Sequence, residues 1–241
     1  MDTAPGELGA VIERLREGVL SGLNITVTHK EAVIPLLDRL SPEAHTLGAV
    51  NTVVQCEAAL VGHNTDATGL MTALESLGPG IPWRDKQVCV LGAGGAARAA
   101  VFSALRLGCG SISLWNRHEP RARHLADEVS GPITVYSTME EALSSSALVI
   151  QATSMGLGQR PGSGGWAETL GMATRGLSAG PGVRWLMDLV YAPDTTPWVS
   201  AAHDAGISAM DGKAMLAHVR GEAVEPEIAR RAMDAKLATE T

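Results

Sequence analysis

The stretch "VLGAGGAARAA" (residues 90–100) gathers residues suited to holding a dinucleotide. Gly92 is placed to begin a tight turn, and Gly94 lets backbone approach a bound group closely. Ala97 fills the third small position, where a helix must meet a strand. The first amides of the alanine-rich run would then point at a pyrophosphate, with the positive end of the helix dipole behind them. A GxGxxA turn by itself also suits α/β proteins that bind no nucleotide. The next segment, "SISLWNR", adds a second strand, Ser111 to Trp115, ending in Asn116 and Arg117. At that strand end an acidic residue favours a ribose 2′-hydroxyl, and an arginine accommodates a 2′-phosphate. Arg117 stands there, Arg121 follows one helical turn later, and His118 offers a further donor. A guanidinium fork suits phosphate oxygens. The competing reading, two solvated arginines at a helix start, explains less, because positive charge is mildly unfavourable there. These residues point to NADP rather than NAD.

A second set could move a proton. Lys30 follows a strand and a turn in "NITVTHK", and Asp66 follows "HNT". An ammonium–carboxylate pair can hold a lysine in place and pass a proton to and from a hydroxyl. Reducing a ketone by hydride needs such a group, because a developing alkoxide must meet a cation or a donor. Lys30 also reads as a surface lysine at a helix start, and Asp66 as an Asx turn. Asn51 offers both a donor and an acceptor, which suits a vicinal hydroxyl. It could instead cap its own turn.

The elements that must position these residues alternate. Short apolar strands are expected at 88–91, 111–115, 147–154 (the last ending in small polar residues), 184–191 and 206–212, with helices at Arg121–Val129 and Met139–Ser144 between some of them. Strand–helix alternation predicts an α/β fold with an open parallel sheet of Rossmann type. The glycine-rich run at 156–182 reads as a loop with one short helix, able to move as a lid. The residues before the nucleotide unit predict an α/β domain of their own. It contains a strand at Asn24–Val27, a helix from about Lys30, and two strands in "LGAVNTVV" and "AALVGHNTDATGL". "TGLMTALESLG" reads as the connecting helix. Two further helices are expected over 213–241, returning to the first domain. The expected division is therefore 1–69 plus 213–241 for a substrate-binding domain, and 70–212 for the NADP-binding domain.

The totals set limits. With 241 residues, 45% of them hydrophobic, the chain can build one large or two modest cores. A net charge of −7 and the lack of a long basic run argue against a nucleic-acid partner. Cys56, Cys89 and Cys109 are too few and scattered for a disulfide frame or a zinc site, and no metal is expected. No apolar run approaches a membrane span and no signal peptide is visible, so a cytoplasmic enzyme without a membrane partner is expected.

Several separated motifs resemble the shikimate dehydrogenase family. "GLNITVTHK" resembles its G-x-N-V-T-x-P-x-K, "GAVNT" is identical to the family form, and "HNTDATG" resembles N-T-D-G-x-G. "GAGGAARA" and "NRHEPR" resemble the family's NADP loop and phosphate clasp. "QATSMGL" resembles N-A-T-S-x-G-M, and "DLVYAPDTTPW" resembles D-x-x-Y-x-P-x-x-T-P-L. The resemblance implies an incomplete N-terminal substrate domain followed by the NADP domain. The implied activity is interconversion of 3-dehydroshikimate and shikimate in chorismate and aromatic amino acid biosynthesis, by a monomer or homodimer. It makes Lys30 and Asp66 an acid–base dyad and places Thr26, Asn51 and Tyr191 on the substrate, although Tyr191 would also suit a buried core. It places NADP on Gly92, Ala93, Gly94, Gly95, Ala96, Asn116, Arg117, His118, Arg121, Thr153, Ser154 and Met155. Departures are Thr28 for the proline, Gln151 for the first Asn of N-A-T-S, and Val219 for a C-terminal Gln. The family's N-terminal strand and helix, with an S-x-S segment for the substrate carboxylate, are expected to be missing ahead of "GLNIT". A weakly active NADP-binding relative, a misplaced start, or a quinate/shikimate dehydrogenase are the alternatives.

Overall fold

In a computed structural model, which describes residues 5–26 and 29–215, the contacts divide the chain after Thr68, and a second unit covers Gly69–Ala217. The first unit begins with α1 (Leu8–Arg16), which turns Leu8, Ile12 and Leu15 inward at helical spacing. Next come β1 (Gly22–Asn24), β2 (Arg39–Leu40), α2 (Pro42–Leu47), β3 (Thr52–Cys56) and β4 (Ala59–His63). They form a four-stranded sheet in the order β1-β3-β4-β2, antiparallel except for the β2–β4 pair. Val33, Val50, Val53 and Leu60 join the α1 residues in its core. Ser41 caps α2 by accepting from the Ala44 amide at 3.2 Å.

The helix expected from about Lys30 does not form. The chain turns there, makes a 3₁₀ helix at Ile34–Leu36, and extends at Leu37. The extension is held by Asp38. Its carboxylate accepts from the Leu60 amide at 2.7 Å and from the Arg16 guanidinium at 2.9 Å, drawing the chain beside β4 as β2. Both contacts lie far away in sequence, so local propensity does not report them.

The second unit is entered through α3 (Asp66–Leu77) and continues through β5 (Gln87–Leu91), α4 (Gly95–Arg106), β6 (Ser111–Trp115), α5 (Glu119–Glu128), β7 (Ile133–Val135), α6 (Met139–Leu143), β8 (Leu148–Gln151), α7 (Gly164–Ala179), β9 (Trp185–Asp188), α8 (Pro197–Asp204) and β10 (Ser208–Met210). Its six strands are all parallel, in the order β10-β9-β8-β5-β6-β7. The order reverses between β5 and β8, the switch point at which doubly wound sheets bind ligands. Both faces of the sheet are covered, and each carries its own apolar cluster.

The run at 156–182 contains far more helix than its glycines suggest. α7 spans 16 residues. Ser163 caps it by accepting from the Trp166 amide, and it buries Trp166, Ala173 and Leu177. Gly176 is used for close packing: a Cβ there would meet the Met139 methyl at 2.9 Å. The two helices expected over 213–241 lie outside the described residues except for the start of the first, as do Thr28 and Val219.

Gly92 is the glycine the turn requires. Its φ is +125°, and a Cβ would stand 2.9 Å from the Ala152 carbonyl oxygen at the end of the neighbouring strand. Strain of this kind costs about 1–3 kcal/mol. Gly92→Ala should therefore lower the unfolding midpoint in a denaturant titration, and an unchanged midpoint would contradict the turn geometry.

Candidate active site

In the first unit, strand ends and one helix start converge. Lys30 lies in the turn after residue 26, and its carbonyl accepts from the Val50 amide at 2.8 Å, pinning that turn beside β3. Its ammonium meets Asp66 Oδ2 at 2.5 Å, with both side chains largely covered. Asp66 opens α3, where a carboxylate is favoured by the helix dipole. Its second oxygen accepts from the Asn51 amide nitrogen at 2.8 Å, and its own N–H donates to Asn64 Oδ1 at 3.0 Å. Asn64 in turn donates to the Ala49 carbonyl. Asn64 thus makes an Asx turn that sets the Asp66 backbone, while the Asp66 carboxylate is left to the ion pair with Lys30.

Asn51 is buried, and its amide is engaged on every side. It donates to Thr65 Oγ1 and Asp66 Oδ1, and it accepts from the Thr65 amide at 3.1 Å and the Thr52 hydroxyl at 3.1 Å. Its observed work is orienting Asp66. Thr26 is exposed just before that turn, and its carbonyl accepts from the His29 amide. Tyr191 belongs to the second unit, on the loop between β9 and α8, and is 52% exposed. A core role for this tyrosine is excluded.

In the second unit, Gly92, Ala93 and Gly94 form the turn from β5 to α4, and Gly95 and Ala96 open the helix. Gly94 sits at the N-cap without a side-chain cap, and the space where its Cβ would stand is open. An uncapped helix start with a bare backbone in front fits a pyrophosphate. Asn116 shapes the next turn by donating to the His118 carbonyl at 2.9 Å. Arg117, His118 and Arg121 are exposed around the start of α5. Arg123 pairs with Glu119, whereas among the described residues Arg117 and Arg121 have no salt bridge. Two unspent guanidiniums at this strand end fit the 2′-phosphate of NADP.

Thr153, Ser154 and Met155 follow β8 in a tight turn. The Thr153 amide and hydroxyl both donate to Gln151 Oε1, and the Met155 amide donates to Thr153 Oγ1 at 3.1 Å. Gln151 reaches on to Asp188, a carboxylate the sequence motif contains but residue-by-residue reading left without a role. Asp188 is fully buried. Burial pushes its pKa up to about 7, helped by the nearby Asp211, against donors from Thr196, Val190 and Gln151. The folded protein thus keeps this proton to a higher pH than the unfolded chain, whose value is near 3.8. The group's stabilisation is complete at low pH and is lost as pH rises through about 7. Asp188→Asn should flatten the stability–pH curve between about pH 4 and 7 by ~1.4 kcal/mol per pH unit. Unfolding curves of parent and variant at several pH values check this, and parallel profiles would refute it.

Among the described residues, no group of three His, Cys, Asp or Glu side chains could hold a metal ion, and no helix is long and apolar enough to cross a membrane.

Comparison with known proteins matches both units. Residues 1–53 match the family model for the shikimate dehydrogenase substrate binding domain, and residues 73–157 match that for shikimate / quinate 5-dehydrogenase. A shikimate dehydrogenase (NADP(+)) of Moorella thermoacetica is 36% identical over 223 residues, covering 89% of this chain and 72% of the relative. A Thermus thermophilus shikimate 5-dehydrogenase, solved with NADP(H) and shikimate, superposes with a TM-score of 0.68 at 33% identity, covering 96% of this chain and 83% of the other. A quinate dehydrogenase of Corynebacterium glutamicum, solved with NAD, gives 0.74 at 28% identity, covering 96% and 82%.

Proposed function

The chain belongs to the shikimate dehydrogenase family, and we propose that it catalyses the NADP-dependent, reversible reduction of 3-dehydroshikimate to shikimate. That step serves chorismate and aromatic amino acid biosynthesis, and a cytoplasmic enzyme, monomeric or homodimeric, suits it. The observation that carries the reading is the Lys30–Asp66 pair at 2.5 Å, held from behind by Asn51.

When bound, the cofactor supplies the hydride that reduces the ketone carbon. The Lys30 ammonium gives its proton to the ketone oxygen as negative charge develops there, so an alcohol forms rather than an alkoxide. Asp66 holds the ammonium on station, and Asn51 keeps the carboxylate from rotating away. In the oxidative direction the pair takes the hydroxyl proton back. In this reading Thr26 and Tyr191 serve the substrate hydroxyls, and Asn51 joins them by exchanging its contact with Thr65 for one to substrate while it keeps Asp66. The uncapped start of α4, with Gly92, Ala93, Gly94, Gly95 and Ala96, receives the pyrophosphate. Asn116, Arg117, His118 and Arg121 frame the 2′-phosphate, and Thr153, Ser154 and Met155 border the nicotinamide.

Quinate is the second substrate to test, because one similar solved structure is a quinate dehydrogenase with NAD. The unspent Arg117 and Arg121 favour NADP. Four assays on the purified chain separate the readings: shikimate or quinate, each with NADP or NAD, followed by absorbance of the reduced nicotinamide. The expected result is the highest kcat/KM for shikimate with NADP. A preference for quinate or NAD would support the second reading, and no turnover with any pair would support a binding protein without activity.

A further inference from the structure

Gln151 and Asp188 are the last residues of β8 and β9 and face each other in register across the parallel pair. Both are fully buried. Every polar group of the Gln151 side chain is used. Oε1 accepts from the Thr153 amide at 2.5 Å and the Thr153 hydroxyl at 2.7 Å, and Nε2 donates to the Met155 carbonyl at 3.0 Å and to Asp188 Oδ1 at 3.3 Å. Asp188 Oδ1 also accepts from the Val190 amide at 3.0 Å, and Oδ2 accepts from the Thr196 hydroxyl at 2.6 Å. Thr196 caps α8 by accepting from the Val199 amide. One glutamine therefore folds the loop after β8, and the carboxylate it touches folds both ends of the loop that carries Tyr191.

We propose that Gln151 and Asp188 are positioning residues that lock the 153–155 loop and the Tyr191 loop into one unit through their shared hydrogen bond. This rests on the reading that the first loop borders the nicotinamide and the second the substrate. Neither side chain need touch a ligand. A buried amide facing a buried carboxylate has a defined polarity, with the donor on one side and the acceptor on the other. Reversing one member without the other must release both loops. The charged groups facing this pair are few among the described residues. Asp211 lies nearby and pairs with Lys213 at 3.1 Å, and Lys213 also donates to the Pro193 carbonyl of the Tyr191 loop.

Gln151→Glu sets a carboxylate against Asp188 and removes the donor. Backbone hydrogen exchange on the full ligand-free chain, corrected for the intrinsic effect of pH, reads the result over residues 152–157 and 189–196. Above pH 8 both segments should exchange faster than in the parent, on the order of tenfold for a coupling worth one pKa unit. In acid, where one proton can be shared between the carboxyls, exchange should return towards the parent. Adding Asp188→Asn should remove the pH dependence and restore the 152–157 segment in part, because an amide again faces a carboxylate while the Met155 carbonyl still lacks the donor that Gln151 gave it. A general packing defect would show neither the pH dependence nor the rescue. If Gln151→Glu does not fold, Asp188→Ala keeps the test open. Its hydrogen bonds reach residues 152–157 only through Gln151, so loosening of that segment supports the coupling. An unchanged 152–157 segment, or a double variant worse than Gln151→Glu alone, overturns the proposal. In active enzyme the Gln151→Glu defect should appear mainly as a raised KM for NADP at alkaline pH. Exchange is read without ligands, so failure of the coupling is distinct from failure of the functional reading, which would show as a parent that does not oxidise shikimate.

Discussion

Replacing Lys30 with alanine should lower kcat for shikimate oxidation by roughly 10²–10⁴, the range for loss of a general acid–base residue, with NADPH affinity unchanged. The expectation comes from where the charge sits. The ammonium is held 2.5 Å from a carboxylate that is itself bonded to Asn51 and placed at the start of α3. Little rearrangement is then needed when negative charge develops on the ketone oxygen, and stabilisation of that kind acts on the transition state. Lys30→Met separates chemistry from packing, because it keeps most of the aliphatic stem and removes the charge. Both variants should fall together, with KM for shikimate changing much less than kcat. Asp66→Asn should lower kcat as well, by freeing the ammonium. Asn51→Ala should lower it less, since Lys30 and the helix start still hold Asp66. Near-normal turnover in Lys30→Met would mean the proton comes from elsewhere. A matching loss of NADPH binding would mean the variant is misfolded.

Much of this site could be read from the residues because its determinants are local. The turn from β5 to α4 needs glycine at one left-handed position and small residues after it, and "GAGGAA" states both. The Asx turn at Asn64–Asp66 needs only a two-residue spacing. Other features depend on partners distant in sequence. The extended stretch at β2 is held by Asp38 bonding to Leu60 and Arg16, 22 residues away in each direction. α7 looks like loop because glycine lowers helix propensity, yet Gly176 is what lets it approach Met139 and Leu143. Asn51 reads as a group aimed at substrate, but neighbouring side chains take up its amide. The Gln151–Asp188 bond joins residues 37 apart, and neither residue type announces the other.

Cofactor choice gives the second large effect, and it should be additive over two side chains. Arg117 and Arg121 stand exposed at the start of α5 with no acidic partner among the described residues, while Arg123 is tied to Glu119. Each charge-assisted hydrogen bond to a 2′-phosphate contributes about 1.5–3 kcal/mol, or roughly tenfold to a hundredfold in affinity. Arg117→Ala and Arg121→Ala should each weaken NADPH by that factor and leave NADH almost unchanged. The double variant should therefore lose most of the preference for NADPH. Arg117→Lys should fall between, since it keeps the charge and loses the two-pronged fork. Arg123→Ala is the control, because its charge is already paired and its loss should not alter the ratio. Salt supplies an independent check: these arginines are solvent-exposed, so the NADPH preference should shrink as ionic strength rises. Titrating each protein with both cofactors at low and high salt measures all of this. If the parent binds NADPH and NADH equally, or if Arg123→Ala shifts the ratio as much as Arg117→Ala, the 2′-phosphate is not held at the start of α5.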